Sequence, residues 1–268
     1  MNEISKTLYI PLYGKAAVSR WGILLKDLKA EEIWEQEGFA LRGKAKSKWL
    51  AFYMAMRARV FDEWAAKQLA MYPNAAVLHI GCGLDSRVER LGAAGRLWYD
   101  IDFPAVIREK QKYFEAAGNY RLLGADVSKT EWIRELEASG DAIVIMEGVS
   151  MYLSVQALGD LFLALQKEFP HVRLLMDSYT VFGAKASKYK NPVKTVGAEI
   201  VSGIDSPDVL RKNERIRFLG ERSMTPPALV DELKGFERAF FKLLFAGRAT
   251  RSIYRLYEYE MVSEGENV

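Results

Sequence analysis

The sequence predicts a doubly wound α/β fold, a mostly parallel sheet with helices on both faces and an antiparallel pair at its far edge. Three observations lead there. From residue 76 onward, apolar strand-like runs alternate with helical ones; three successive runs end in a carboxylate; and the chain finishes on two apolar runs joined by a short polar turn.

With 268 residues, half of them hydrophobic, the chain can bury a full core. Residues 1–70 read as a helical cap and residues 71–268 as the core, with an insertion at about 180–226. In the cap, "SKWLAFYMAMRARVFDEWAAKQLAM" lines up Leu50, Tyr53, Met54, Arg57, Phe61 and Trp64 at helical spacing. Arg57 is the odd charge on that stripe and needs a partner. After the turn signal "YPN" come the strand-like runs "AAVLHI", "RLWYDID", "YRLLGAD", "AIVIMEG" and "VRLLMDSY". Helical stretches such as "PAVIREKQKYFEAAG" and "SVQALGDLFLALQKEF" separate them, which implies parallel pairing through right-handed crossovers. The closing runs "FERAFFKLLFAG" and "RSIYRLYEYEMV" read as the antiparallel edge pair.

Composition narrows the function classes. The 38 Lys and Arg residues against 35 Asp and Glu give a net charge of only +3, too little for a nucleic-acid footprint. A lone Cys82 and two histidines offer neither a disulfide nor a metal cluster. No segment has the length of a membrane span and the N-terminus lacks an apolar signal core, so the expectation is a cytoplasmic protein with no membrane partner. The oligomeric state is not legible.

In a parallel sheet the ligand lies beyond the carboxyl ends of the strands. Gly81 and Gly83 follow the first strand in "AVLHIGCGLDSR", where missing side chains let backbone N–H groups and a helix N-terminus approach a ligand of nucleotide size. Asp102, in "WYDIDFP", suits a ribose diol, and Asp126, in "LLGADVS", an adenine amine. Either can equally serve as a helix N-cap. Glu147, after four apolar residues in "IVIMEGVSMYL", wants a charged or hydrogen-bonded partner.

These segments, "VLHIGCGLDSR", "WYDIDFPAVIREKQ", "LLGADVS" and "IMEGVSMYLS", resemble the successive motifs of the leucine carboxyl methyltransferase family, in its tetracenomycin-type polyketide O-methyltransferase branch. Upstream, "TLYIPLYGKAAVSR" and "MAMRARVFD" resemble the family's N-terminal lid and arginine-bearing helix, so the likeness runs from Thr7 to about Leu163. It implies a class I, Rossmann-like fold with a seven-stranded sheet, and S-adenosylmethionine as cofactor. The third glycine of the usual nucleotide loop is absent here, and Ser86 stands where the family usually has threonine.

By resemblance, Gly81 and Gly83 lie against the cofactor, Gly81 at its methionine portion. Asp102 holds the ribose hydroxyls, Asp126 with Val127 frames the adenine, and Glu147 faces the amino group. Arg57 and Lys15 match the positions that grip the methionine carboxylate, for which an arginine fork is suited. Arg57 has alternatives in Asp62 and Glu63, Arg59 is a rival for its role, and Lys15 has the alternative of a solvated surface. Tyr152 is the candidate for lining the acceptor pocket, or else a packing residue. Asp85 and Arg87 read as loop supports, Cys82 as a buried filler, His79 as a core histidine bonded to a neighbour, and His171 as a strand start. No catalytic residue is assigned.

An activated methyl donor demands mainly alignment of the nucleophile. A carboxylic acid is already ionised at neutral pH, whereas a phenol benefits from a base, so the scarcity of histidines favours a carboxylate acceptor. The run "KASKYKNPVK", with Lys185, Lys188, Lys190 and Lys194, can attract an anionic acceptor or be an ordinary solvated loop. The segment "LRGKAKSKW", with Arg42, Lys44, Lys46 and Lys48, reads as a lid hinge or a surface loop.

The expected function is O-methylation of a small-molecule carboxylate, polyketide-like in type. Three alternatives remain: methylation of a protein C-terminal carboxylate, a nicotinamide dehydrogenase, and a non-catalytic binding scaffold. The dehydrogenase rests on Gly81-x-Gly83-x-x-Ser86 followed by Asp102, against which stand the missing Tyr-x-x-x-Lys pair and the long N-terminal cap.

Overall fold

In the computed structural model, which describes residues 3–38, 47–93, 95–190 and 202–264, three helices precede the first strand. They are α1 (Glu3–Arg20), α2 (Leu28–Glu37) and α3 (Lys48–Met71). Then follow β1 (Ala76–Ile80), α4 (Arg87–Arg90), β2 (Trp98–Asp102), α5 (Pro104–Lys110), β3 (Tyr120–Gly124), β4 (Ala142–Met146), α6 (Val155–Glu168), β5 (His171–Tyr179) and α7 (Val181–Lys190). The last elements are β6 (Ile216–Arg222), α8 (Pro227–Glu232), α9 (Gly235–Phe245), α10 (Arg248–Arg251) and β7 (Tyr254–Val262). The seven strands form one sheet in the order β3-β2-β1-β4-β5-β7-β6. β1 to β5 are parallel, and β7 runs antiparallel to both its neighbours. Strand order reverses between β1 and β4, which places the ligand crevice at their carboxyl ends.

β1 and β4 are buried along their whole length, as central parallel strands covered on both faces must be. Alternation then divides the core. Val77, Ile143, Ile145 and Leu175 pack with Met56 and Phe61 of α3. Leu78, Val144, Met146 and Leu174 pack with Leu158, Leu161 and Phe162 of α6. Ser154 caps α6 by accepting the Ala157 N–H at 3.0 Å, so that helix starts where its apolar stripe starts. α3 is buried on more than the predicted stripe. Phe52, Ala55, Ala58 and Ala65 are covered too, with α1 packed along α3 and Phe241 of α9 against Phe52, whereas Leu50, Tyr53 and Met54 of the stripe are half-buried.

The closing pair is not the predicted one. "FERAFFKLLFAG", read as a strand, is the helix α9, and the true partner of β7 is β6, within the 180–226 stretch. The aromatic spacing explains the helix: the Phe236 ring lies tilted against Phe240 at 5.5 Å and Phe241 stacks on Phe245 at 5.4 Å, each pair one helical turn apart. Phe241 is the residue that turns fully inward, and Phe240 lies 4.5 Å from Trp49 on α3. The predicted helix "PAVIREKQKYFEAAG" is also shorter than its pattern, ending at Lys110.

β6 is an edge strand, and charge rather than apolar alternation marks it. Arg173, Glu260 and Arg217 sit in register across β5, β7 and β6. Arg173 reaches Glu260 at 3.0 Å and Glu258 at 3.1 Å, Arg217 pairs with Glu260, and Arg222 meets Glu258 at 2.7 Å. A bulge between Phe218 and Gly220 further blunts the edge.

Beneath β1 and β2 lies a buried polar hub. The fully buried Asp100 carboxylate accepts from Trp98 Nε1 at 2.9 Å and Tyr120 Oη at 2.7 Å, and pairs with Lys110 Nζ at 2.7 Å. His79 Nδ1 is 3.0 Å away, while Arg87 Nη1 lies 3.0 Å from His79 Nε2. An arginine only donates, so Nε2 accepts and Nδ1 carries the proton toward Asp100. Burial keeps this histidine neutral by lowering its pKa, matching the expectation of a core histidine bonded to a neighbour. Burial works against ionisation of Asp100 too, yet Lys110 and His79 hold its carboxyl far below the ordinary range. Replacing Asp100 by Asn strands the buried Lys110 cation, and we expect a loss of about 3 to 5 kcal/mol in urea unfolding.

Candidate active site

Strand register assembles the site. Ile80, Ile101, Met146 and Met176 lie side by side on β1, β2, β4 and β5. The next residue on each strand is therefore Gly81, Asp102, Glu147 and Asp177, a single row along one rim. Asp102 is level with Gly124 on β3, and Asp126 follows two residues later. The predicted strand-end residues are thus on one edge of the sheet.

The β1–β2 side of the rim is tightly tied. Gly81 and Cys82 donate their N–H groups to Ile101 O at 2.7 and 3.2 Å, and Gly83 donates to Asp102 Oδ2 at 2.9 Å. These three donors are held by β2 and not aimed into the crevice, unlike the arrangement read from the sequence. Gly81 is required locally: its φ is +71°, and a Cβ there would sit 2.7 Å from Val149 Cβ. Leu8 of α1 lies over Gly83. Asp102 also accepts the Phe103 N–H at 2.7 Å, and burial pushes its pKa up. Asp126 accepts from Ser128 N at 3.1 Å and Ser128 Oγ at 2.7 Å, a local turn whose hydroxyl bond lowers its pKa. The Val127 side chain points into the core on the α6 side of the sheet.

The β4–β5 side is ionic. Arg57, reaching down from α3, donates Nε to Glu147 at 2.9 Å and lies 3.3 Å from Asp177 Oδ2. Glu147 also pairs with Arg87, whose Nε is 2.6 Å from Asp62. Arg87 is fully buried, its fork shared among Asp62, His79 and Glu147. A second knot binds the N-terminal helices to the loop after β1. Lys15 meets Asp85 at 2.7 Å, and Arg90 reaches Asp27, Asp62 and Asp85 at 2.7, 2.8 and 2.8 Å. Ser86 donates to Asp27 at 2.6 Å. Asp85 and Arg87 thus act as loop supports.

Tyr152 ends a one-turn 3-10 helix after Glu147 and is half-buried; burial and the nearby Tyr179 push its pKa up to about 12. Sequence reasoning missed Asp177 and Tyr254. Asp177 had a usable signal, since "LLMD" repeats at β5 the apolar-then-acid ending of "IVIME" at β4. His171 starts β5, with Asp141 at 3.1 Å, remote from the rim. Cys82 is buried and its thiol is pushed well up by burial, consistent with a filler. Lys185 is exposed on α7, and Lys48 pairs with Glu237 at 2.6 Å. Arg42, Lys44, Lys46, Lys194 and the side chains of Lys188 and Lys190 lie outside the described residues.

Two rim carboxyls titrate in opposite senses. Burial disfavours both charges. For Asp177, with the negative Glu147 nearby, burial wins and lifts the pKa from 3.8 to about 6. For Glu147, Arg57 and Arg87 win and lower it from 4.5 to about 2. Glu147 therefore contributes stability that is present above about 4.5 and lost as pH falls toward about 2. Asp177 binds its proton more tightly in the folded state, so its ionisation costs stability as pH rises from about 4 to about 6. Subtracting the stability curve of Asp177→Asn from that of the wild type should leave a difference that falls across this window; a flat or rising difference contradicts the assignment.

The family model for leucine carboxyl methyltransferase matches residues 8–166. The tetracenomycin polyketide synthesis O-methyltransferase TcmP of Streptomyces glaucescens is 28% identical over 260 residues, covering 96% of this chain and 94% of that protein. Among solved structures, a DUF574 family protein from Streptomyces avermitilis aligns with TM-score 0.54 at 12% identity, over 92% of this chain and 96% of that one. Magnesium protoporphyrin IX methyltransferase from Synechocystis PCC 6803, with bound SAH, aligns with TM-score 0.50 at 13% identity, over 92% and 99%. The structural likenesses establish the fold, and the family match sets aside the dehydrogenase alternative. A rim of acids at the switch point, an arginine lowered onto it from the N-terminal helices and a family match across both together mean that the chain belongs to the leucine carboxyl methyltransferase family.

Proposed function

We propose that this S-adenosylmethionine-dependent O-methyltransferase places its methyl group on a carboxylate of a small molecule. The observation that carries the methyl donor's place in this reading is the Arg57–Glu147 pair at the switch point, 2.9 Å apart. An amino-acid end bears a carboxylate and an ammonium side by side, and this pair offers a cation and an anion side by side. The donor set fits the cofactor. Arg57 and Lys15 would hold its carboxylate, Glu147 its ammonium, Asp102 the ribose hydroxyls, and Asp126 with Val127 the adenine, against Gly81 and Gly83. Lys15 is engaged with Asp85 in this structure, so Arg57 is the more available cation.

The bound cofactor supplies a sulfonium methyl that is already activated for transfer. What remains for the protein is to orient the acceptor oxygen and exclude water, worth roughly 7 to 11 kcal/mol in favourable cases. The chemistry of the rim favours an acceptor that needs no deprotonation. Both histidines are committed elsewhere, His79 to Asp100 and Arg87, His171 to Asp141. A carboxylate is ionised at neutral pH without help. Tyr152, half-buried beside Tyr179, is the candidate for lining the acceptor side. Likeness to the polyketide enzyme along nearly the whole chain supports a small acceptor over a protein terminus.

Incubation with labelled cofactor and a cell extract should put the label into alkali-labile methyl esters of low mass; label on a protein C-terminus points to the other branch, and no label at all to a binding scaffold. Asp102→Ala should weaken S-adenosylhomocysteine by about 1 to 3 kcal/mol in calorimetry, the scale of a charged hydrogen bond lost with its partner left unpaired. Unchanged affinity removes the ribose assignment.

A further inference from the structure

Arg57 is gripped on two of its three nitrogens. Nε donates to Glu147 at 2.9 Å, and Nη1 lies 3.3 Å from both Tyr254 Oη and Asp177 Oδ2. Asp177 is fully buried and itself fixed: Gly148 N–H donates to its Oδ1 at 2.7 Å, and Tyr254 Oη to its Oδ2 at 2.8 Å. The remaining corner, Nη2, has no acceptor among the described residues. It lies 3.3 Å from where a Cβ of Gly148 would stand, a position whose φ of +75° already favours glycine.

Charge balance alone does not account for Asp177. Glu147 already compensates Arg57, and a second carboxylate buried beside the first is costly. We propose that Asp177 is a positioning residue for the cofactor: with Tyr254 it pins the Arg57 guanidinium so that Nη2 is presented to the carboxylate of the cofactor's amino-acid end. This rests on the assignment of Arg57 to that carboxylate. The groups that face Asp177 are Arg57 and Tyr53 from α3, Glu147 and Gly148 after β4, Tyr152 in the following turn, Tyr179 on β5 and Tyr254 on β7. Asp177 titrates near neutrality, at about 6, while Glu147 is held at about 2 and Tyr152 is pushed up to about 12. Loss of its charge below that pH loosens the grip on Arg57.

The test compares two probes in calorimetry: S-adenosylhomocysteine, which carries the amino-acid end, and methylthioadenosine, which lacks it. Asp177→Asn should weaken the first about tenfold and leave the second unchanged, the scale of one aligned charged hydrogen bond. In the wild type, affinity for S-adenosylhomocysteine should fall as pH drops through about 6, and this dependence should vanish in the variant. In an Arg57→Met background, Asp177→Asn should add nothing. Equal loss for both probes, additivity with Arg57→Met, or no loss at all overturns the proposal. If Arg57→Met by itself leaves S-adenosylhomocysteine untouched, the failure lies in the assignment of Arg57. Should Asp177→Asn not fold, Tyr254→Phe removes the hydroxyl and keeps the ring, and it should reproduce the selective loss in smaller measure; equal binding of both probes to it refutes the pinning.

Discussion

Burying charge is the constraint on which this structure turns. Lys15, Arg57, Arg87 and Lys110 are buried and Arg90 is half-buried, and each is met by a carboxylate. Arg87 shows how tight the arrangement is. One guanidinium satisfies Asp62 on α3, the His79 ring on β1 and Glu147 beyond β4, so three elements must dock together before any of these charges is compensated. Removing one member leaves the others buried and unpaired, which makes the network a demand for a single geometry.

That geometry serves the crevice. Parallel register aligns Gly81, Asp102, Glu147 and Asp177 at the carboxyl ends of β1, β2, β4 and β5, and the network then determines which of those residues are neutralised and which remain available. The loop after β1 spends its N–H groups on β2, which leaves a shaped wall. On the β4–β5 side the same logic leaves one corner of Arg57 open.

Much of this was legible in the sequence, for physical reasons. Central parallel strands are continuous apolar runs, so β1 to β5 stood out, and the acids that close β2, β3 and β4 were visible as polar residues after apolar ones. Arg57 and Glu147 had each been noted as a charge in want of a partner, and the fold pairs them with each other across 90 residues. No local pattern carries that distance. β6 was hidden because an edge strand shows charge where a central strand shows valine, and α9 was mistaken because its aromatics crowd closely enough to mimic a strand. Asp177 follows an apolar run as clearly as Glu147 does, but β5 continues two residues past it and it lies beyond the stretch where the family motifs run.

β7, the last element of the chain, is inserted between β5 and β6 and supplies Tyr254 to the rim and Glu258 to Trp64, contacts that span 197 and 194 residues. The N-terminal helices receive these partners only once β7 is in place. Until then β5 presents an open edge ready to pair with a foreign strand. Folding thus passes through an aggregation-prone stage that ends only when β7 docks between β5 and β6.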